Sequence, residues 1–163
     1  MSEDIKRTIE AAKEAKRKTL QEEEQQKIAR KESFDKAFGE AKHWMEKEVM
    51  PAMHEFENEL ANDDISSTVI FNLGNPDSPG IDGPSATFRI DVDKRHFLTD
   101  GPLSVSFAFR GTEEILIIYG DSSGTRLSSN REPLTCKTGW TRDAIKRQID
   151  PLVETYFKEI WQG

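Results

Sequence analysis

Leu103-Ser104-Val105-Ser106-Phe107-Ala108-Phe109 alternates apolar and small residues along its whole length, and Ile115-Leu116-Ile117-Ile118-Tyr119 follows after the polar turn Arg110-Gly111-Thr112-Glu113. A period of two marks a half-buried strand. A connection this short joins neighbouring strands antiparallel. Working outward, Ser85 to Asp93 alternates in the same way, with Ala86, Phe88, Ile90 and Val92 on one face and Thr87, Arg89 and Asp91 on the other. Thr68-Val69-Ile70-Phe71-Asn72-Leu73 reads as an earlier strand. Between these two lies 74–84, with three prolines and three glycines, which reads as a loop. Downstream, Asp121-Ser122-Ser123-Gly124 turns the chain, and weaker strands are expected at Thr125–Ser129 and Leu134–Lys137. The expectation is an antiparallel meander of about five strands.

Helical segments flank the sheet. Residues 3–60 are rich in Ala, Glu, Lys and Gln and contain only Gly39 and Pro51 as breakers. They predict one long helix, broken near Gly39 and kinked at Pro51. From Phe34 the apolar positions Phe34, Phe38, Ala41, Met45, Val49, Ala52, Met53, Phe56 and Leu60 form one stripe, as on a helix docked to a core. Before Phe34 the stripe thins to Ile5, Ile9, Ala12, Leu20 and Ile28. Residues 1–31 hold nine Lys/Arg and seven Asp/Glu, too much charge for self-burial. That segment is expected as a solvated helix, a coiled coil with a partner, or a disordered tail. Asn62-Asp63-Asp64 ends the first helical region. Thr141 is a good N-cap, and Ile145, Ile149, Leu152, Val153, Tyr156 and Ile160 give the last helix its stripe, with a kink expected at Pro151 and a recap by Asp150.

The fold class is therefore α+β, with a long N-terminal helix, an antiparallel sheet and a C-terminal helix, both helices on one sheet face. The expected organisation is a charged extension, 1–31, followed by a two-layer domain, 32–163.

The chain has 163 residues, a net charge of −7 and a sequence pI of about 5.1. An acidic surface repels nucleic-acid phosphates and anionic lipid, which argues against both as partners. No apolar run reaches the length of a membrane span. Cys136 is the single cysteine. With no apolar h-region after the charged start Met1-Ser2-Glu3-Asp4-Ile5-Lys6-Arg7, this favours a reducing, cytoplasmic setting.

Motifs for catalysis fail one by one. His54-Glu55-Phe56-Glu57-Asn58 begins a zinc-protease signature but lacks the second histidine. His43 and His54 are too far apart on a helix to share a metal. His96 is a lone histidine beside a turn. Gly120-Asp121-Ser122-Ser123-Gly124 resembles a serine-protease stretch only superficially, and a Gly/Asp/Ser hairpin turn accounts for it. Cys136, in phase with Leu134, reads as a small buried hydrophobe. No phosphate-binding glycine motif or calcium-loop spacing is present. Arg89, Arg110, Arg126 and Arg131 read as a solvated face. No catalytic residue, metal or cofactor is expected.

Two surfaces remain. Ile115–Tyr119 is apolar on both faces, so Leu116 and Ile118 point away from the core, beside Ser104, Ser106 and Ala108. Ser104, Ser106, Leu116 and Ile118 are thus the candidate ligand-binding residues, for a small molecule or peptide, unless loop 74–84 covers them. The Met-rich stretch around Trp44, Met45, Met50 and Met53 reads first as a wide core contact and next as an interface, and with Leu20 and Ile28 on the charged segment it supplies the candidate partner-binding residues. The sequence points first to a non-enzymatic interaction or regulatory protein that meets a protein partner or a second copy through helical surface. A binder using the second sheet face comes next, and an enzyme using His96 or Cys136 last.

Overall fold

A computed structural model describes residues 2–75, 83–91, 103–120 and 134–161. The chain divides into two compact units, Met1–Lys36 and Ala37–Gly163. Helix α1, Glu3–Trp44, makes up the first unit, and its end, Ala37–Trp44, belongs to the second. The break expected near Gly39 does not occur. Gly39 is exposed with open space about its Cα, and a single glycine there costs the helix only about 1 kcal/mol.

The irregularity lies further on. A π-helical turn, Met45–Val49, separates α1 from α2, Met50–Asn62. Its cause is Pro51, whose ring would press on the carbonyl four residues back and which has no N–H to offer it. The widened turn relieves that contact. The carbonyl concerned, Lys47 O, accepts a hydrogen bond from Arg142 Nη2 of the last helix instead (3.2 Å). Helix α2 ends as expected at Asp63-Asp64. Asp64 takes a left-handed φ of 58°, Ile65 N donates to Leu60 O (2.9 Å), and Asp64 N donates to Ala61 O (3.1 Å), closing the helix in a Schellman arrangement.

Five strands follow: β1 Ser67–Asn72, β2 Ser85–Ile90, β3 Leu103–Phe109, β4 Glu114–Gly120 and β5 Leu134–Lys137. They pair in chain order, each antiparallel to the next. The strand expected over 125–129 and much of loop 74–84 lie outside the described residues. Alternation works as read. Ala86, Phe88 and Ile90 on β2, Leu103, Val105, Phe107 and Phe109 on β3, Ile115 and Ile117 on β4 and Cys136 on β5 are all buried.

Helices cover that one face. Phe38 meets Phe109 edge-on at 5.8 Å, Trp44 meets Phe107 at 6.3 Å, and Phe56 lies tilted 6.2 Å from Phe88. Met45, Val49, Ala52 and Met53 are fully buried beneath them. The Met-rich stretch is therefore core. Trp44, Met45 and Met53 are interior side chains with no surface to offer a partner, and Met50 is half-buried. Methionine suits this place because the π turn makes an irregular gap that a flexible thioether fills.

Helix α3, Arg142–Glu159, starts on the expected cap, with Thr141 accepting from Ala144 N (3.3 Å), and buries Ile145, Ile149 and Leu152. It runs through Pro151 as one helix, so Asp150 does not recap a second piece. The Tyr119 hydroxyl on β4 donates to Gln148 O (2.5 Å), one turn before Pro151. Trp44 Nε1 donates to Trp140 O (3.0 Å), just before α3, where Gly139 turns the chain with a φ of 100°. Along the α2–α3 seam, Arg142 stands 3.5 Å from Glu48 and 3.6 Å from Glu55, and Lys146 pairs with Glu55. Their proximity holds the Glu55 carboxyl below the usual carboxylate range, chiefly through the hydrogen bond from Lys146.

If Arg142 substitutes for the donor that Pro51 lacks, Arg142→Met should lower stability by about 1 kcal/mol. Pro51→Ala restores the N–H and should make that loss smaller by about 0.5 kcal/mol or more. Urea unfolding of the four proteins measures this coupling, and an additive cycle would disprove the compensation.

Candidate interaction surfaces

Register places the second sheet face residue by residue. Cross-strand partners share a face, so Ile70, Thr87, Ser106 and Ile118 form one row across β1 to β4. Beside it run Asn72, Ser85, Ala108, Leu116 and Thr135, and on the other side Thr68, Arg89, Ser104 and Gly120. The four residues anticipated here, Ser104, Ser106, Leu116 and Ile118, thus share one face, with Ser106 directly opposite Ile118. Ile118 is 43% exposed and Ile70 44% exposed. Ile70 was not anticipated, because only the β1–β2, β2–β3 and β3–β4 registers together bring it into line with Ile118. Between the two isoleucines, the Thr87 and Ser106 hydroxyls hydrogen-bond to each other (2.8 Å). Arg89 Nε donates to Asp91 (3.1 Å), and Asp91 also accepts from Ser66 (2.9 Å) and Thr68 (3.1 Å). This corner is a satisfied polar cluster, so Arg89 is engaged rather than waiting for an anion.

The second surface is the helix of the first unit. Every residue from Ser2 to Ser33 is exposed. Its apolar side chains are Ile5, Ile9, Leu20 and Ile28, the last two 55% and 53% exposed. Local contacts are of the within-helix kind: Arg17 pairs with Glu14, and Thr8 and Thr19 hydroxyls donate to the carbonyls of Asp4 and Ala15 (both 2.9 Å). Exposed pairs of this type contribute little to stability.

Chemistry is sparse. Cys136 is 2% exposed, and burial pushes its thiol up from 9.0 to about 12, the opposite of an activated nucleophile. His54 hydrogen-bonds Glu57 on the surface (3.2 Å), and His43 is exposed. His96, Arg126, Arg131 and the turn after Gly120 lie outside the described residues. Among the described residues, no three His, Cys, Asp or Glu side chains gather closely enough to hold a metal ion, and no helix is long and apolar enough to cross a membrane. Tyr119 titrates high for the same reason as Cys136, its hydroxyl raised from 10.0 to about 12 by burial against α3.

No protein family, curated protein or solved structure matches this chain. Function has to be argued from the two surfaces.

Cys136 and Tyr119 make a pH prediction. Both are neutral acids with raised folded values, so the unfolded chain ionises first. The fold is fully favoured by them below 9.0, the thiol's ordinary value, and loses that advantage as pH rises toward about 12. Urea midpoints should fall between about pH 9 and pH 11. Cys136→Ala and Tyr119→Phe should each flatten that slope, and an unchanged slope in both would refute the assignment.

Proposed function

We propose that this chain is a non-enzymatic protein-interaction module that meets its partner through the exposed helix of the Met1–Lys36 unit. The carrying observation is that helix itself. From Ser2 to Ser33 nothing of it is buried, yet it presents Ile5, Ile9, Leu20 and Ile28. A solvated helix with few stabilising contacts is marginal in water and gains most from an apolar partner. The thin apolar stripe fits a short or interrupted coiled-coil contact, with a protein partner or a second copy, rather than a continuous heptad seam. A reducing, cytoplasmic location accords with the lone, buried Cys136.

A second reading places a small molecule or a peptide on the open sheet face. The row Ile70–Thr87–Ser106–Ile118 favours it, because two exposed isoleucines flank a small polar floor.

One experiment separates the two. A photo-crosslinking residue is placed at Leu20 in one full-length protein and at Ile118 in another, and adducts formed in cells are mapped by mass spectrometry. The helix reading expects a discrete adduct to a helical segment from position 20, abolished by Ile5→Gln, Ile9→Gln and Ile28→Gln together. An adduct only from position 118 would favour the sheet face and overturn the helix reading.

A further inference from the structure

Leu20 has a patterned neighbourhood. On an α-helix the side chains beside residue i are i−4, i−3, i+3 and i+4. For Leu20 these are Lys16 and Arg17 on the N-terminal side and Glu23 and Glu24 on the C-terminal side. All four are exposed, and so is Leu20. An exposed leucine thus sits between a positive pair and a negative pair along one helix face.

We infer that the partner is a second copy of this chain, its N-terminal helix antiparallel to the first, with the two-fold axis at Leu20. The inference rests on the helix-docking reading above and specifies its occupant. Charge complementarity carries it. Antiparallel pairing about Leu20 sets Leu20 against Leu20, Lys16 against Glu24 and Arg17 against Glu23, each contact occurring twice by symmetry. Parallel pairing in register would set every charge against its own kind. The same axis brings Ile28 opposite Ala12 and Glu10 opposite Arg30. Lys13 opposite Lys27 is the one like-charged pair between residues 10 and 30, and further out Ile9 falls opposite Lys31 and Ile5 opposite Asp35, so the apolar contact of this register is centred on Leu20. Net charge does not oppose the association, since Met1–Lys36 holds ten Lys/Arg against nine Asp/Glu and the excess negative charge resides in the compact unit. Arg17 already pairs with Glu14 of its own helix, an exposed contact that exchanges at little cost.

Charge reversal tests orientation and occupant together, in the full chain. One variant carries Lys16→Glu and Arg17→Glu, and another carries Glu23→Lys and Glu24→Lys. All substitutions are on exposed helix positions, so the compact unit is untouched. Sedimentation equilibrium gives the mass and the dissociation constant. The wild-type chain is expected to be a dimer. Each variant alone should bind itself at least about tenfold more weakly, because its four residues around Leu20 then share one sign. An equimolar mixture of the two should recover the wild-type dimer. Self-association that vanishes in each variant and does not return on mixing overturns the antiparallel register. A wild-type monomer at every concentration overturns the second-copy inference and leaves helix docking to the crosslinking test. A dimer indifferent both to these reversals and to Leu20→Asp overturns the inference and removes self-association as support for the helix reading.

Discussion

Everything in the compact unit depends on the one-sidedness of its sheet. Phe88, Phe107 and Phe109 all project from the same face, with Val105, Ile115 and Ile117 around them. Such a face is stable only when covered, and its cover must come from elements that flank the strands in the chain. The end of α1, α2 and α3 supply it, through Phe38, Trp44, Met45 and Met53 on one side and Ile145, Ile149 and Leu152 on the other. Both helical contributions are thereby drawn to a single face. The other face keeps small and polar residues on β2 and β3, so Thr87 and Ser106 separate its exposed isoleucines, Ile70 and Ile118.

Covering the face brings two prolines into helices, Pro51 and Pro151. Pro51 leaves Lys47 O without its usual donor, and Arg142 reaches across from α3 to supply one. Pro151 sits within α3, and the half-buried Tyr119 hydroxyl reaches up from the sheet to the Gln148 carbonyl one turn before it. A backbone carbonyl left unpaired in a helix would be a cost. Here the Lys47 and Gln148 carbonyls both become anchor points between elements distant in sequence. Trp44 adds a third tie of this kind, to the carbonyl of Trp140. The same burial that makes these ties effective raises the titration of Tyr119 and silences Cys136.

Much of this was legible from the residues, and the parts that were not share a cause. Period-two alternation located β2 and β3, a strand-length apolar run located β4, and alternation sorted Ala86, Phe88, Ile90, Val105 and Phe107 to the core, because a strand's side-chain geometry is local. Thr141 and the Asp63-Asp64 stop were readable for the same reason. Position in space was not. Gly39 looked like a break and is none, since its cost is small against the helix around it. The Met-rich stretch reads either as a wide core contact or as an interface, because the sequence does not show how wide a core contact the π turn creates. The isoleucine row escaped notice at Ile70, as its alignment with Ile118 requires the register of three strand pairs. Leu20 and Ile28 are candidates for contact from the sequence, and their exposure is given only by the folded chain.

That exposure leads to a last step. A helix that is buried nowhere from Ser2 to Ser33 receives no packing energy over that stretch, and propensity alone gives a helix of this kind only marginal stability. Its residues are nevertheless not arranged as a solubilising tail would be. A tail needs charge without order, whereas here cations and anions sit on opposite sides of Leu20 at the spacings that make them neighbours on one face. Lys16 and Glu23 lie too far apart along the axis to pair within one helix, and the within-helix pair Arg17–Glu14 contributes little because it is exposed. The arrangement becomes useful when a second helix of reversed direction is laid against the first, since reversal converts separation along one axis into contact across two. The proposed pairing thus accounts for the charges around Leu20, and the compact α+β unit is the body that such a pair would hold together.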